Sequence, residues 1–97
     1  MNIALQIQEI AYSLDEVSAT VNFALRQEAE QARLRRQHYL LRCRAFEESY
    51  GFDSVEFMHR FENGELGDDS GYFDWYAAKR AFDLWDRRFL ILSGVSV

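Results

Sequence analysis

The first 50 residues contain neither proline nor glycine, the two residues that most often interrupt regular structure. The 97-residue chain has no proline at all, and its five glycines lie at or after position 51. Apolar residues in this region recur at alternating steps of three and four, the spacing of a heptad stripe along a helix. The stripe consists of Ile3, Ile7, Ile10, Leu14, Val17, Val21, Leu25, Ala29, Ala32, Arg36, Tyr39, Cys43, Phe46 and Tyr50. We therefore expect one long helix that ends near Tyr50.

The start of this helix is open to two interpretations. Ser13 stands three residues before Glu16, which is the spacing of a capping box and predicts a helix start at Ser13. Residues 2–8 also alternate in the manner of a strand, so a short separate N-terminal element stays possible. The long helix is thus predicted with a possible break near Ser13.

Two further helices follow. Gly51 is placed to end the first helix, and Asp53 to cap a short second helix over about 54–62, with Glu56 as its capping-box acid. A glycine-rich acidic loop leads to a third, aromatic helix that begins near Asp69. Its stripe consists of Tyr72, Trp75, Ala78, Phe82, Trp85, Phe89 and Leu92. The predicted fold is all-α, a single helical domain over 1–97, either a helical bundle or a coiled-coil-like dimer.

The length of the first helix predicts self-association. A helix from Ser13 to Ser49 is roughly 55 Å long, whereas a compact chain of this size has a radius of gyration of about 13 Å. The helix must bend, or a second chain must cover its overhang, and we expect a homodimer. The predicted dimer seam consists of Leu14, Val17, Val21 and Leu25.

Charge is divided along the sequence. The net charge is -5, but residues 26–46 carry six arginines and two glutamates, while residues 47–74 carry nine acids and one arginine. The favoured interpretation pairs these arginines with the acids of the same dimer. There are two alternatives: the arginines form a solvated face, or they follow a phosphate backbone. The net negative charge of the chain makes nucleic-acid binding the weaker of these two alternatives. The segment 47–74 mixes acids with aromatics, which favours either a core with a solvated rim or a docking face for a basic protein.

No sequence motif points to catalysis. Cys43 lies on the apolar stripe, so burial is a better interpretation than a thiol site with His38 or His59. Glu56 and His59 have the spacing of a di-iron ligand pair, but Phe57 and Phe61 define the inward face of that helix. We expect no enzyme activity, no cofactor and no metal. The single cysteine, the absence of a long apolar run and the lack of a signal-peptide pattern favour a soluble, cytoplasmic protein.

The segment from Tyr50 to Trp75 resembles a pattern in small, mostly helical prokaryotic proteins that are read as antitoxin-like partners of a small toxin. The matching positions are Tyr50, Gly51, Phe52, Phe57, Phe61, Gly64, Asp68, Asp69 and Trp75. The resemblance covers little over a quarter of the chain and implies no catalytic residues. It implies a surface that covers a small basic protein. The residues expected to bind that partner are Glu65, Asp68, Asp69, Tyr72, Phe73, Asp74 and Trp75.

Overall fold

A computed structural model describes residues 12–97, and these residues form three helices. Helix α1 spans Leu14–Tyr50, α2 spans Ser54–Glu62 and α3 spans Ser70–Gly94. The predicted all-α fold, with a long first helix, a short second and an aromatic third, is confirmed. No helix in this part of the chain is long and apolar enough to cross a membrane.

The ends of α1 follow from local hydrogen bonds. The Ser13 hydroxyl accepts from the backbone N–H of Glu16 at 3.1 Å, and the Glu16 carboxylate accepts from the N–H of Ser13 at 3.4 Å. This is the predicted capping box. At the other end Gly51 adopts φ 81°, a left-handed conformation that favours glycine, and donates its N–H to the Glu47 carbonyl. The question of a separate element before Ser13 lies outside the described residues.

Helices α1 and α3 form an antiparallel hairpin. Tyr50 lies against Tyr72 with ring centroids 5.0 Å apart, and farther along the hairpin Arg36 forms an ion pair with Asp86. At the far end the Asn22 amide exchanges two hydrogen bonds with the backbone of Val97, each 2.7 Å long. Val97 is thus tied to α1 of its own chain.

The two helices differ in length, so the hairpin has unlike ends. At 1.5 Å per residue, 37-residue α1 is about 55 Å long and 25-residue α3 about 37 Å. The closed end is the segment from Glu47 to Asp74, which contains α2 and both loops. The open end is residues 12–25, which include the start of α1, together with residues 87–97. Because Val97 lies opposite Asn22, the first two turns of α1 extend beyond α3.

The core is an aromatic cluster around Trp75. The apolar residues buried among those described are Ala32, Cys43, Phe57, Trp75 and Ala78. Trp75 and Phe57 have no exposed surface, and their rings stack with centroids 4.0 Å apart and planes 8° from parallel. Phe46, Tyr50 and Phe52 pack against the same indole. The indole therefore joins α1, α2 and α3 in one contact.

The buried polar groups of this cluster are paired. The Trp75 indole donates its Nε1–H to the Ser54 hydroxyl at 2.9 Å, and Ser54 is only 5% exposed. The backbone N–H of Ser54, at the start of α2, donates to the Glu47 carboxylate of α1 at 2.7 Å. These two bonds fix the first turn of α2 against both long helices.

Replacement of Ser54 with alanine (Ser54→Ala) tests this arrangement. It leaves the buried indole N–H without an acceptor, which costs about 1–3 kcal/mol of unfolding free energy. Urea unfolding followed by circular dichroism measures the loss. In the Trp75→Phe background the N–H is gone, so the same Ser54→Ala change should cost clearly less. An equal loss in both backgrounds would show that the hydrogen bond contributes nothing.

Candidate partner-binding site at the closed end

The residues predicted to bind a partner lie in the loop before α3 and in its first two turns, but they differ in how far their side chains are exposed to solvent. Trp75 is fully buried and Tyr72 is half-buried between Tyr50 and Phe57. Phe73 is 60% exposed. The structure therefore corrects the expectation that Trp75 contacts a partner: its surface is used inside the chain.

Phe73 is held in place although it faces solvent. Its ring meets Phe61 of α2 edge-on, with centroids 5.7 Å apart and planes at 88°. Phe61 in turn packs against Phe57 with tilted rings and stacks on Tyr76. An exposed aromatic ring with a packed ring on one side loses little conformational freedom when a partner covers its other side.

The acids of the site divide into a structural one and free ones. Asp69 caps α3: its carboxylate accepts from the Gly71 N–H at 2.8 Å and from the Tyr50 hydroxyl at 3.2 Å. Glu65, Asp68 and Asp74 are exposed. Asp74 borders a groove of about 320 Å³ together with His38, Tyr39 and Arg42.

Few acids of the closed end form ion pairs. Of its nine acids, only Glu56 forms an ion pair within residues 12–97, with Arg60 at 2.8 Å. Among the other eight, Glu62 shares a groove with Arg80 and Arg87, and Asp74 borders a groove with Arg42, but neither acid is within ion-pair distance of these arginines. Mutual repulsion in such a cluster destabilises the compact state and attracts cations from solution.

The arginines of α1 do not neutralise this field within one chain. Arg36 pairs with Asp86 and Arg33 with Glu30, and neither acid belongs to the closed end. Arg35 lies over the Trp85 ring, 4.4 Å from its centroid, and so covers apolar surface with its guanidinium. The expected pairing of arginines with closed-end acids is therefore absent inside the described chain, while pairing between two chains stays a prediction.

The predicted seam residues occupy the other end of the molecule. Leu14 is 85% exposed. Val17 and Val21 are half-buried and line an apolar groove of about 240 Å³ with Tyr12 and Thr20. Leu25, which lies where α3 ends, is half-buried like Val17 and Val21, so Leu14 is the one exposed residue of the four.

The alternative chemical sites also have ordinary structural surroundings. The Glu56 carboxylate pairs with Arg60 and does not return to the Asp53 N–H, so Glu56 is not the capping-box acid that we expected. Asp53 still caps α2, through the Glu56 N–H at 2.8 Å. Residues 12–97 contain no group of three or more potential metal ligands.

No protein-family profile, curated protein or solved structure matches this chain. The antitoxin-like resemblance accordingly stays a prediction. The function of the protein is therefore inferred from the geometry and charge of the closed end.

The thiol of Cys43 allows the burial of the core beside this end to be tested. The thiol is 4% exposed, and burial raises its pKa, which outweighs the opposing effects of the Ser54 hydroxyl and Lys79. A thiol whose folded-state pKa is raised stabilises the fold below the ordinary cysteine value, and this contribution is lost as pH rises through the folded-state value. We expect iodoacetamide to modify native Cys43 at least about tenfold more slowly than the urea-unfolded chain. Equal rates would contradict burial.

Gly71 offers a test of the α3 start. A Cβ at this position would meet the Tyr50 hydroxyl at 2.0 Å, and the Tyr50 ring is packed between Tyr72 and Trp75. Gly71→Ala should lower stability by about 1–3 kcal/mol, although alanine is the better helix former by about 1 kcal/mol. Gly94→Ala, at the end of the same helix with nothing within 4 Å, is the control and should not destabilise. Thermal unfolding compares the two, and equal effects would rule out the steric cause.

Proposed function

We propose that this protein is a non-enzymatic binding module that docks a small basic protein through its closed end. The observation that carries the proposal is the exposed Phe73 ring at an end of the molecule whose exposed acids Glu65, Asp68 and Asp74 form no ion pair in the described chain. An aromatic anchor within a charged rim is the arrangement found at the centre of many protein interfaces.

The two components have separate roles. The carboxylates raise the rate of encounter with a cationic surface, because complementary fields steer association. Phe73 supplies apolar contact area that slows dissociation once the surfaces meet. Asp69 is excluded from the contact role because its carboxylate already caps α3 and accepts from Tyr50.

The class of partner follows from the charge. A protein that acts on RNA is commonly basic, because it must approach phosphates. A small toxin of this kind, which the antitoxin-like resemblance implies, would have its cationic surface covered by the closed end. Neutralisation would then be steric and electrostatic and would require no chemical step.

The first experiment is co-purification of the full chain with the product of the adjacent reading frame, followed by light scattering and by kinetic binding measurements. A basic, stoichiometric partner that is toxic when expressed alone would support the proposal. Recovery of this chain without a companion would count against it.

Two substitutions separate the roles of charge and anchor. Asp68→Lys should lower the association rate severalfold, with a smaller effect as salt rises from about 0.05 M to 0.5 M. Phe73→Ala should leave the association rate nearly unchanged and raise the dissociation rate about tenfold or more. The measurement is surface plasmon resonance against the co-purified partner.

Glu28→Lys is the matched control, because it changes the net charge of the protein by the same amount as Asp68→Lys. Glu28 is an exposed acid of α1 that forms no ion pair in the described chain. It should have little effect on either rate. Asp68→Lys should also raise stability at low salt by up to about 1 kcal/mol, because it relieves repulsion at the closed end. If Glu28→Lys and Asp68→Lys slow association equally, net charge is responsible and the closed end is not the docking site.

A further inference from the structure

At the open end, α3 does not extend along the apolar stripe of α1. From Leu25 to Tyr50 the stripe faces α3, and its members Ala32 and Cys43 are buried there. Beyond Asn22, which bonds to Val97, α3 has ended while α1 continues to Leu14. Leu14, Val17 and Val21 therefore repeat the spacing of core positions in a place where the described chain offers no helix to cover them.

Exposed apolar side chains are concentrated at this end. Eleven large hydrophobic residues are exposed in the described chain, and six of them belong to the open end. They are Tyr12, Leu14, Phe23, Leu90, Ile91 and Val97. Single exposed apolar residues are common. Of these six residues Leu14 lies on the α1 stripe, where it continues the row of core positions into solvent, as is typical of a contact surface.

Charge distinguishes the two ends as surfaces for self-association. The open end carries Asp15 and Glu16 on α1 and Arg87 and Arg88 on α3, so its charges sum to zero. Arg87 also lines a groove with Glu62 of α2, and without Arg87 the sum is −1. None of these four residues forms an ion pair within residues 12–97. A two-fold contact places the same patch of both copies face to face, so it requires a patch that does not repel itself. The open end meets this condition, whereas two closed ends would oppose charges of −8 each.

The available surface is large enough for such a contact. The chain exposes 7423 Å², whereas a compact protein of 11.5 kDa exposes about 5,800 Å². This surplus of about 1,600 Å² belongs to the whole molecule, and an interface of standard size takes roughly 800 Å² from each partner.

We propose that a second copy of this chain covers the uncovered stripe, so that two molecules join through their open ends about a two-fold axis. Leu14 and Val17 of each copy pack on the α1 overhang of the other. The closed ends remain free and point away from the contact, so the dimer presents two docking surfaces. This inference concerns the opposite end of the molecule from the docking surface and does not depend on the proposed function.

Sedimentation equilibrium of the full chain tests the proposal. The unmodified protein should have a mass of about twice 11.5 kDa at micromolar concentration. Leu14→Glu should weaken dimerisation at least about tenfold, because it brings a charge into each half of an apolar contact. Leu14 is 85% exposed in the single chain, so helical circular dichroism should be retained. Leu41→Glu, on the outer side of α1 at a residue 55% exposed, is the control and should stay dimeric.

A second measurement keeps the test decisive if a variant unfolds. The Tm of the unmodified protein should rise with protein concentration, as it does for a dimer that unfolds to single chains. A monomeric mass with a concentration-independent Tm would overturn the proposal. The same result is expected if residues 1–11 cover the stripe within one chain, and it would overturn the proposal in that case too. A Leu14→Glu protein as dimeric as the unmodified one would also overturn it. Asp68→Lys should leave the mass unchanged, so failure of closed-end docking and failure of dimerisation are separate results.

Discussion

The fold depends on one contact, the stack of Trp75 on Phe57 with the indole N–H donated to Ser54. A two-helix hairpin has a narrow core, and the pairing of α1 with α3 buries only small residues along most of its length, such as Ala32 and Ala78. The large fully buried rings lie at one end, where α2 closes over the hairpin. Because Ser54 also bonds to Glu47 through its backbone, this contact sets where α2 begins and how α3 aligns with α1.

This arrangement explains why aromatic residues and acids share one segment. The aromatic side chains point into the contact between three helices, and the acids occupy the outer positions of α2, the loop and the first turns of α3. Most of the segment is therefore a core with a solvated rim. Phe73 departs from this division, since its ring remains exposed while its neighbours on both sides of the helix are buried or charged. A docking face requires only this ring and the free carboxylates around it.

Local signals in the sequence predicted the helix boundaries well. The caps at Ser13 and Asp53 and the stop at Gly51 depend on hydrogen bonds between residues at most four apart, and all three lie where the sequence predicts them. Helix α3 begins next to Asp69, as expected, but the role of Asp69 as its cap was not predicted. Glu56 was assigned wrongly because two local partners compete for it, and Arg60 one turn later forms the stronger, charged contact. The burial of Trp75 could not be predicted, since an aromatic residue near a helix start fits a core and an exposed anchor equally. The apolar stripe likewise indicates that α1 is covered without indicating by which helix.

Each end of the hairpin has a feature that lowers the stability of the isolated chain: unpaired acids at the closed end and exposed apolar surface at the open end. A fold shaped by its own stability would neutralise the closed-end acids with the arginines only a few turns away, and would end α1 where α3 ends. Instead Arg35 and Arg42 lie over aromatic rings, and eight of the nine closed-end acids form no ion pair within residues 12–97. The stripe of α1 continues past its covering helix with Leu14 in solvent. Unrelieved repulsion at one end and uncovered apolar surface at the other each lower the stability of the isolated chain. Both deficits disappear in an assembly where a cationic protein covers the closed end and a second copy covers the open end. In the proposed assembly the exposed acids of the closed end and Leu14 of the open end would both be contact surfaces, so each deficit would have a function there.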